Sequence, residues 1–265
     1  MLHYKTFEHR SESEWVVFVH GAGGSSAVWF KQLRMFREAF NILLVDLRGH
    51  GRSKDFHGRD SSYSIPSISL DIVDVMDHLK IESAHFVGVS LGTILVRCLG
   101  EIAPVRVRSM IMAGAITGFN VWARILIASG HFLKYILPFR TLYRAFAWII
   151  MPGSKAREAR EIFRREARRV TPAEFRKWLR MTREVNERLS SWSGVTPSSP
   201  ILYVMGGNDY IFLPLAREVV NRCSNSFLSV IEGAGHVCNV ERPDEFNRRA
   251  LEFLRSPVLA TAPAV

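Results

Sequence analysis

At 265 residues, 48% apolar and 23% charged, the chain has the size and make-up of one large globular domain, or of a domain carrying an insertion. Its net charge of +10 sits wholly within residues 119–191, which hold 16 Lys and Arg against 6 Asp and Glu, while the remainder carries 19 of each. Such a surplus suits nucleic acid, a weak pull toward anionic surfaces, or a solvated arginine-rich helical face; the last is the favoured reading, and no nucleic-acid partner is expected.

Residues 2–7 (LHYKTF) alternate weakly and predict a short edge strand. Trp15 to His20 is a continuous apolar run, as expected of a strand covered on both faces. It ends in His20-Gly21-Ala22-Gly23-Gly24-Ser25-Ser26. Glycines after a buried strand let backbone approach a ligand and turn free N–H groups toward a developing negative charge. Taken alone, the loop reads first as an ordinary glycine-rich connection, and it lacks the G-x-x-x-x-G-K-[ST] pattern of a phosphate loop. Ala27 to Phe40 reads as a helix, and Ile42 to Val45 as a second buried strand. Asp46-Leu47-Arg48-Gly49-His50-Gly51-Arg52-Ser53 follows, a turn with a structural role in ordering the floor of a site. After a polar loop over 54–64, Ile65 to Leu79 is helical, with Ile68, Ile72, Val75, Met76 and Leu79 on one face and Asp71, Asp74 and Asp77 on its wet side.

The centre of the chain is SAHFVGVSLGTILVRCLG, residues 83–100. An apolar run, Ala84 to Val89, turns through Gly88-Val89-Ser90-Leu91-Gly92 straight into a helical pattern. This is G-x-S-x-G between strand and helix, the context in which the motif carries meaning. The turn forces Ser90 into a cramped backbone conformation, and Gly88 and Gly92 let strand and helix close around it. The helix from Leu91 aims free N–H groups and its positive end at the same spot. Read alone, Ser90 is also an acceptable N-cap.

Val107 to Ala113 is the next strand, and the alternation to this point implies a parallel sheet with crossover helices. Residues 119–191 break it. They carry no strong strand signal, and Pro138, Pro152-Gly153 and Thr171-Pro172 divide them into about four helices, the first half aromatic and the second rich in arginine. Thr171 with Glu174 forms a capping-box pattern. An apolar helical insertion suits a lid over a pocket; the plainer alternative is a subdomain that only packs. Pro200 to Met205 restores the alternation and ends in Gly206-Gly207-Asn208-Asp209; Leu213 to Arg222 is a short helix, Phe227 to Ile231 the last strand, and Glu232-Gly233-Ala234-Gly235-His236 follows it. A closing amphipathic helix starts after Arg242-Pro243, and residues 256–265 read as a loose tail. The expected division is a core over 1–118 and 192–255, a helical cap over 119–191, and the tail.

Ligands of open parallel sheets bind at the carboxyl ends of the strands. Gly21–Gly24, Ser90, Asp209 and His236 all follow such ends. A serine hydroxyl needs a base within about 3 Å to act as nucleophile; histidine fits, and needs a carboxylate to set its tautomer. Ser90, Asp209 and His236 are the expected nucleophile, acid and base. His50 is the rival base, and Asp244 and Glu241 are weaker acids because both lie past the histidine.

With these motifs on the page, the chain resembles the α/β-hydrolase superfamily over nearly its whole length. The matching stretches are His20-Gly21-Ala22-Gly23, the Asp46–Ser53 turn, Gly88-x-Ser90-x-Gly92, Gly206-x-x-Asp209 and Gly235-His236. The resemblance implies an α/β fold with a mostly parallel sheet and an inserted helical cap. It implies Ser90, Asp209 and His236 as a triad, an oxyanion hole from the N–H groups of Ala22 and Leu91, and the cap at 119–191. Gly21, Gly23, Trp122 and Val237 are the expected substrate contacts. The short N-terminus departs from the family by leaving room for fewer antiparallel edge strands. The reaction expected is two-step cleavage of a small ester with an apolar acyl or alcohol group, without cofactor or metal. Thioesters, lactones, C–C bonds of diketones and a lyase of the menaquinone-pathway type are alternatives. So is a slow-turnover binding or signalling protein on the same scaffold. A serine at the elbow argues against the dehalogenase and epoxide-hydrolase branches, which carry aspartate there.

Cys98, Cys223 and Cys238 are odd in number, lack metal-like spacing and read as free thiols of a reducing cytosol. His3, Lys5, Glu8, His9 and Arg10 interrupt the start, so no signal peptide is expected, and no uncharged apolar run reaches membrane-spanning length. A cytoplasmic protein is the expectation.

Overall fold

The computed structural model describes residues 1–58, 63–154 and 156–256; the expected tail lies outside these apart from Ser256, as do residues 59–62 of the polar loop. The strands are β1 (Tyr4–Phe7), β2 (Trp15–Val19), β3 (Asn41–Val45), β4 (Ala84–Val89), β5 (Val107–Ala113), β6 (Ile201–Gly206) and β7 (Ser226–Ile231). They form one seven-stranded sheet in the order β1-β3-β2-β4-β5-β6-β7. All neighbouring pairs are parallel except β1 with β3, so a single antiparallel strand closes that edge.

The apolar runs are continuous because both faces are covered. Along β2, Val17 and Val19 enter one hydrophobic cluster while Val16 and Phe18 enter the other; on β3, Leu43 and Val45 separate from Ile42 and Leu44 in the same way. One cluster is roofed by α2 (Ile65–His78), α3 (Leu91–Ile102) and α9 (Leu213–Arg222). The other is covered by α1 (Phe30–Phe36) and α11 (Pro243–Leu254), through Phe36, Phe246 and Leu251. The helix expected over 27–40 is shorter: a 3-10 turn at Ser26–Trp29, capped by the Ser25 side chain, leads into α1.

From β2 the chain crosses to β3 on one side, then returns to β4 on the other. That reversal opens a crevice between the carboxyl ends of β2 and β4, where open α/β sheets bind ligands. The register Val19↔Gly88 brings the glycine loop after β2 beside the turn after β4.

Asp71 is not on a wet face. It is 2% exposed and meets the fully buried Arg48 guanidinium, which donates from Nε and Nη2 at 2.8 Å. Position 71 lies three residues after Ile68 and four before Val75, so the apolar stripe runs across it; a carboxylate is needed there because Arg48 enters from the turn after β3. Asp77, further along α2, is exposed and pairs with Arg106.

Between β5 and β6 stand five helices among the described residues: α4 (Val121–Leu133), α5 (Phe139–Ile150), α6 (Arg157–Ala167), α7 (Pro172–Arg180) and α8 (Thr182–Ser191). The fifth arises at Met181–Thr182, where the Thr182 hydroxyl bonds the Leu179 carbonyl and breaks the helix without proline or glycine. Thr171 caps α7 by accepting from Glu174 N, but the buried Glu174 carboxylate is taken by Tyr63 and Lys177, so only half of the capping box forms. A short α10 (Cys238–Glu241) precedes α11. Cys98, Cys223 and Cys238 are free and buried. Among the described residues no helix is long and apolar enough to cross a membrane.

Removing one member of a buried ion pair strands the other charge. Asp71→Ala is expected to cost about 3–5 kcal/mol, read as a lower urea midpoint, whereas Asp71→Leu combined with Arg48→Met recovers most of the loss. An Asp71→Ala midpoint equal to wild type contradicts this packing.

Candidate active site

Ser90 occupies the single position between β4 and α3, with φ 54° and ψ −121°. A non-glycine residue there stores about 1–3 kcal/mol of backbone strain. The surroundings hold it: Ser90 N donates to the Ala113 carbonyl at 3.0 Å, and its own carbonyl accepts from Thr93 N and the Thr93 hydroxyl. The glycines explain how closely the helix sits. A side chain at Gly88 would meet Gly92 backbone at 2.9 Å, and one at Gly92 would run into the Val19 carbonyl of β2. The hydroxyl therefore stands over the crevice, at the first turn of α3, where leading backbone N–H groups lack intrahelical partners.

His236 Nε2 lies 3.0 Å from Ser90 Oγ, and His236 Nδ1 lies 2.8 Å from Asp209 Oδ2. A carboxylate accepts the Nδ1 proton, which leaves the Nε2 lone pair facing the serine hydroxyl. His236 and Asp209 are each 3% exposed, and the Phe212 ring lies against the imidazole at 5.0 Å. Asp209 Oδ1 also accepts from Phe212 N, so the carboxylate is held at both oxygens. Bare backbone lets the histidine loop approach: a Cβ at Gly114 would collide with the His236 carbonyl, and one at Gly206 with the Gly235 carbonyl. Glu241 accepts from Gly235 N and so braces this loop; neither it nor Asp244 takes the place of Asp209 on the imidazole.

The glycine loop is tied down from behind. Gly23 N donates to His50 Nε2 at 2.9 Å, Gly24 N to the Gly21 carbonyl, and Ser26 N to Asp46 Oδ1 at 2.8 Å. The Ala22 N–H has no such partner among the described residues, and it lies one residue from Gly21, whose added Cβ would meet Ser90 Cβ at 3.1 Å. Leu47 N donates to His20 Nε2, so His20 carries its proton on Nδ1 and gives it to the Gly21 carbonyl. His50 likewise uses Nδ1 toward the Arg48 carbonyl. Both ring nitrogens of His50 are thus occupied within the fold, and the rival base is a strut. Burial, with His20 beside it, pushes the His50 pKa down to about 3. Burial lowers His20 also. Asp46 is held below the usual carboxylate range: nearby His20 and the N–H groups of Arg52 and Ser26 outweigh the opposing, largest effect of its burial.

A model of the alpha/beta hydrolase family matches residues 16–249. The chain belongs to the alpha/beta hydrolase family. It is 24% identical over 258 residues, 93% of this chain and 90% of the other, to 3-oxoadipate enol-lactonase 2 of Acinetobacter baylyi. The crystal structure of the enol-lactonase from Burkholderia xenovorans superposes with a TM-score of 0.79 at 20% identity, covering 96% of both chains. A thermophilic esterase from Thermogutta terrifontis does so with a TM-score of 0.74 at 19% identity, covering 96% of this chain and 93% of that one.

In this alpha/beta hydrolase the inserted helices reach the crevice at particular points. Val237, next to His236, packs against the cluster of Ala147, Met151, Ala156, Ala159 and Val240 at which the insertion meets the core. Trp122, by contrast, is 71% exposed on α4 and makes no hydrogen bond or ring contact with Ser90, Asp209 or His236. The aromatic of the insertion that meets the glycine loop is instead Tyr143 of α5, whose hydroxyl occupies the space a Cβ on Gly23 would need. Its only sequence signal is helical spacing from Phe139, which does not separate it from the other aromatics of the insertion.

The buried histidines set a pH dependence. Unfolded, each titrates near 6.5; folded, burial lowers both, and His50 stays neutral down to about 3, so the unfolded chain binds more protons as acid is added. The contribution of His50 is complete above about pH 6.5 and falls by about 1.4 kcal/mol per pH unit below it, and His20 acts in the same direction. Asp46 adds its own loss only at lower pH, below the range of an unfolded aspartate. Urea midpoints should therefore drop from pH 7 to pH 5, and His50→Gln, which keeps an acceptor for Gly23 N, should shed about one proton of that slope. An unchanged slope in His50→Gln contradicts the assignment.

Proposed function

We propose that this protein is a serine hydrolase that cleaves a carboxylic ester through an acyl-enzyme, with an apolar acyl or alcohol group held under a helical lid. The observation that carries this reading is the Ser90 Oγ–His236 Nε2–Asp209 chain at 3.0 and 2.8 Å, set on a strained elbow. In it His236 takes the hydroxyl proton as Ser90 attacks the ester carbonyl. Negative charge collects on the carbonyl oxygen and is met by the N–H groups of Ala22 and Leu91, each contributing about 3 kcal/mol in sites of this kind. Collapse expels the alcohol, which receives the proton from His236. Water, deprotonated by the same nitrogen, then attacks the acyl-enzyme and releases the acid. Asp209 orients the imidazole and steadies its positive form in both halves.

The apolar seam between insertion and core supports an apolar group: Val28, Ile150, Phe163 and Val237 pack against the cluster of Ala147, Met151, Ala156, Ala159 and Val240. A lactone is a cyclic ester opened by the same steps, and the relative named as an enol-lactonase brings lactones into the same reading.

The test is turnover of nitrophenyl esters, thioesters and lactones across acyl chain length. Ester cleavage should rise from short to medium chains. Ser90→Ala should lose at least about 10⁴-fold in kcat and Asp209→Asn about 10⁴-fold. A rate flat with chain length argues against the apolar pocket, and turnover surviving in Ser90→Ala removes the mechanism.

A further inference from the structure

The backbone at Gly23 is left bare in the left-handed region, with φ 66°, and the Tyr143 hydroxyl fills the space beside it. Alanine at position 23 would both strain the backbone and run into that hydroxyl. Gly23 N points the other way, to His50, so it is not the partner of the phenol. Among the described residues the Tyr143 hydroxyl makes no hydrogen bond, and the phenol's acidity is suppressed by desolvation alone.

The ring itself is well explained. It stacks on Phe163 at 4.9 Å and 20°, and meets Phe139 and Phe175 edge-on at 5.0 and 5.5 Å. Those three neighbours are all phenylalanine. A fourth phenylalanine would fill the same aromatic nest equally well, and the hydroxyl gains nothing from it. The oxygen is therefore surplus to the packing and stands one residue from the Ala22 N–H.

We propose that Tyr143 is a catalytic residue of the insertion, whose hydroxyl donates a third hydrogen bond to the substrate's carbonyl oxygen beside the N–H groups of Ala22 and Leu91. This rests on the ester-cleaving reading above. The insertion then does more than cover the pocket: it completes the charge-stabilising set only when α5 is seated on the glycine loop. The three phenylalanines fix the phenol so that the donor is aimed before the substrate arrives, the condition under which such a bond acts on the transition state.

Tyr143→Phe keeps the ring and removes the donor. The expected result is a 10- to 100-fold fall in kcat with KM changed less than about threefold, and an unchanged thermal midpoint. A trifluoromethyl ketone, which adds Ser90 to form a tetrahedral oxyanion, should bind the variant weaker by the same factor as kcat/KM. A variant within twofold of wild type in kcat and in ketone affinity overturns the proposal while leaving the serine mechanism standing, as does a loss confined to KM. A wild-type protein that neither turns over esters nor binds the ketone overturns the ester-cleaving reading beneath it.

Discussion

One backbone constraint organises the molecule: a serine held at positive φ in the single residue between a buried strand and a buried helix. That conformation is unfavourable on its own, and everything touching it is arranged to make it the only one available. Gly88 and Gly92 allow α3 to lean on β4, and Gly92 lies so close to the Val19 carbonyl that the helix also leans on β2. The same closeness sets the glycine loop after β2 next to the serine. Strain at the elbow and placement of the glycine loop are thus two consequences of one packing contact.

Behind the loop lies a polar layer that is buried yet satisfied. Asp46, His20 and His50 come from the ends of β2 and β3 and exchange hydrogen bonds with the backbone of each other's loops. Two neutral histidines serve here as acceptors of fixed direction. The insertion rests on this layer: Trp178 meets the His50 ring edge-on at 5.2 Å, and the Glu174 carboxylate sits against the α-carbon of Gly49 while accepting from Tyr63. Seating of the helices and order in the glycine loop are coupled through one turn, residues 46–53. Tyr143, in ring contact with Phe175 beside Glu174, touches the glycine loop at Gly23.

Much of this was readable from the chain because the informative signals are local. Buried parallel strands are continuous apolar runs, and Val107–Ala113 and Ala84–Val89 were legible to the residue. The elbow, Asp209 and His236 were legible because each follows a strand end at which an open sheet gathers ligands. What was not legible depends on contacts between distant segments. Asp71 looks like any helical aspartate until Arg48 arrives from another turn. The break at Met181 comes from a threonine hydroxyl competing for a carbonyl, a choice without a strong sequence mark. Trp122 was the conspicuous aromatic, but the depth of Tyr143 depends on how α5 docks, which periodicity does not encode.

The central claim is that Ser90 becomes acylated. The most direct measurement is rapid quenching of the protein with a nitrophenyl ester at saturating concentration, followed by intact mass and peptide mapping. The account predicts a burst of about one equivalent of nitrophenol, with the acyl mass on the peptide containing Ser90 and absent from Ser90→Ala. Steady turnover with no burst and no adduct at any quench time, or an adduct on another residue, would contradict it.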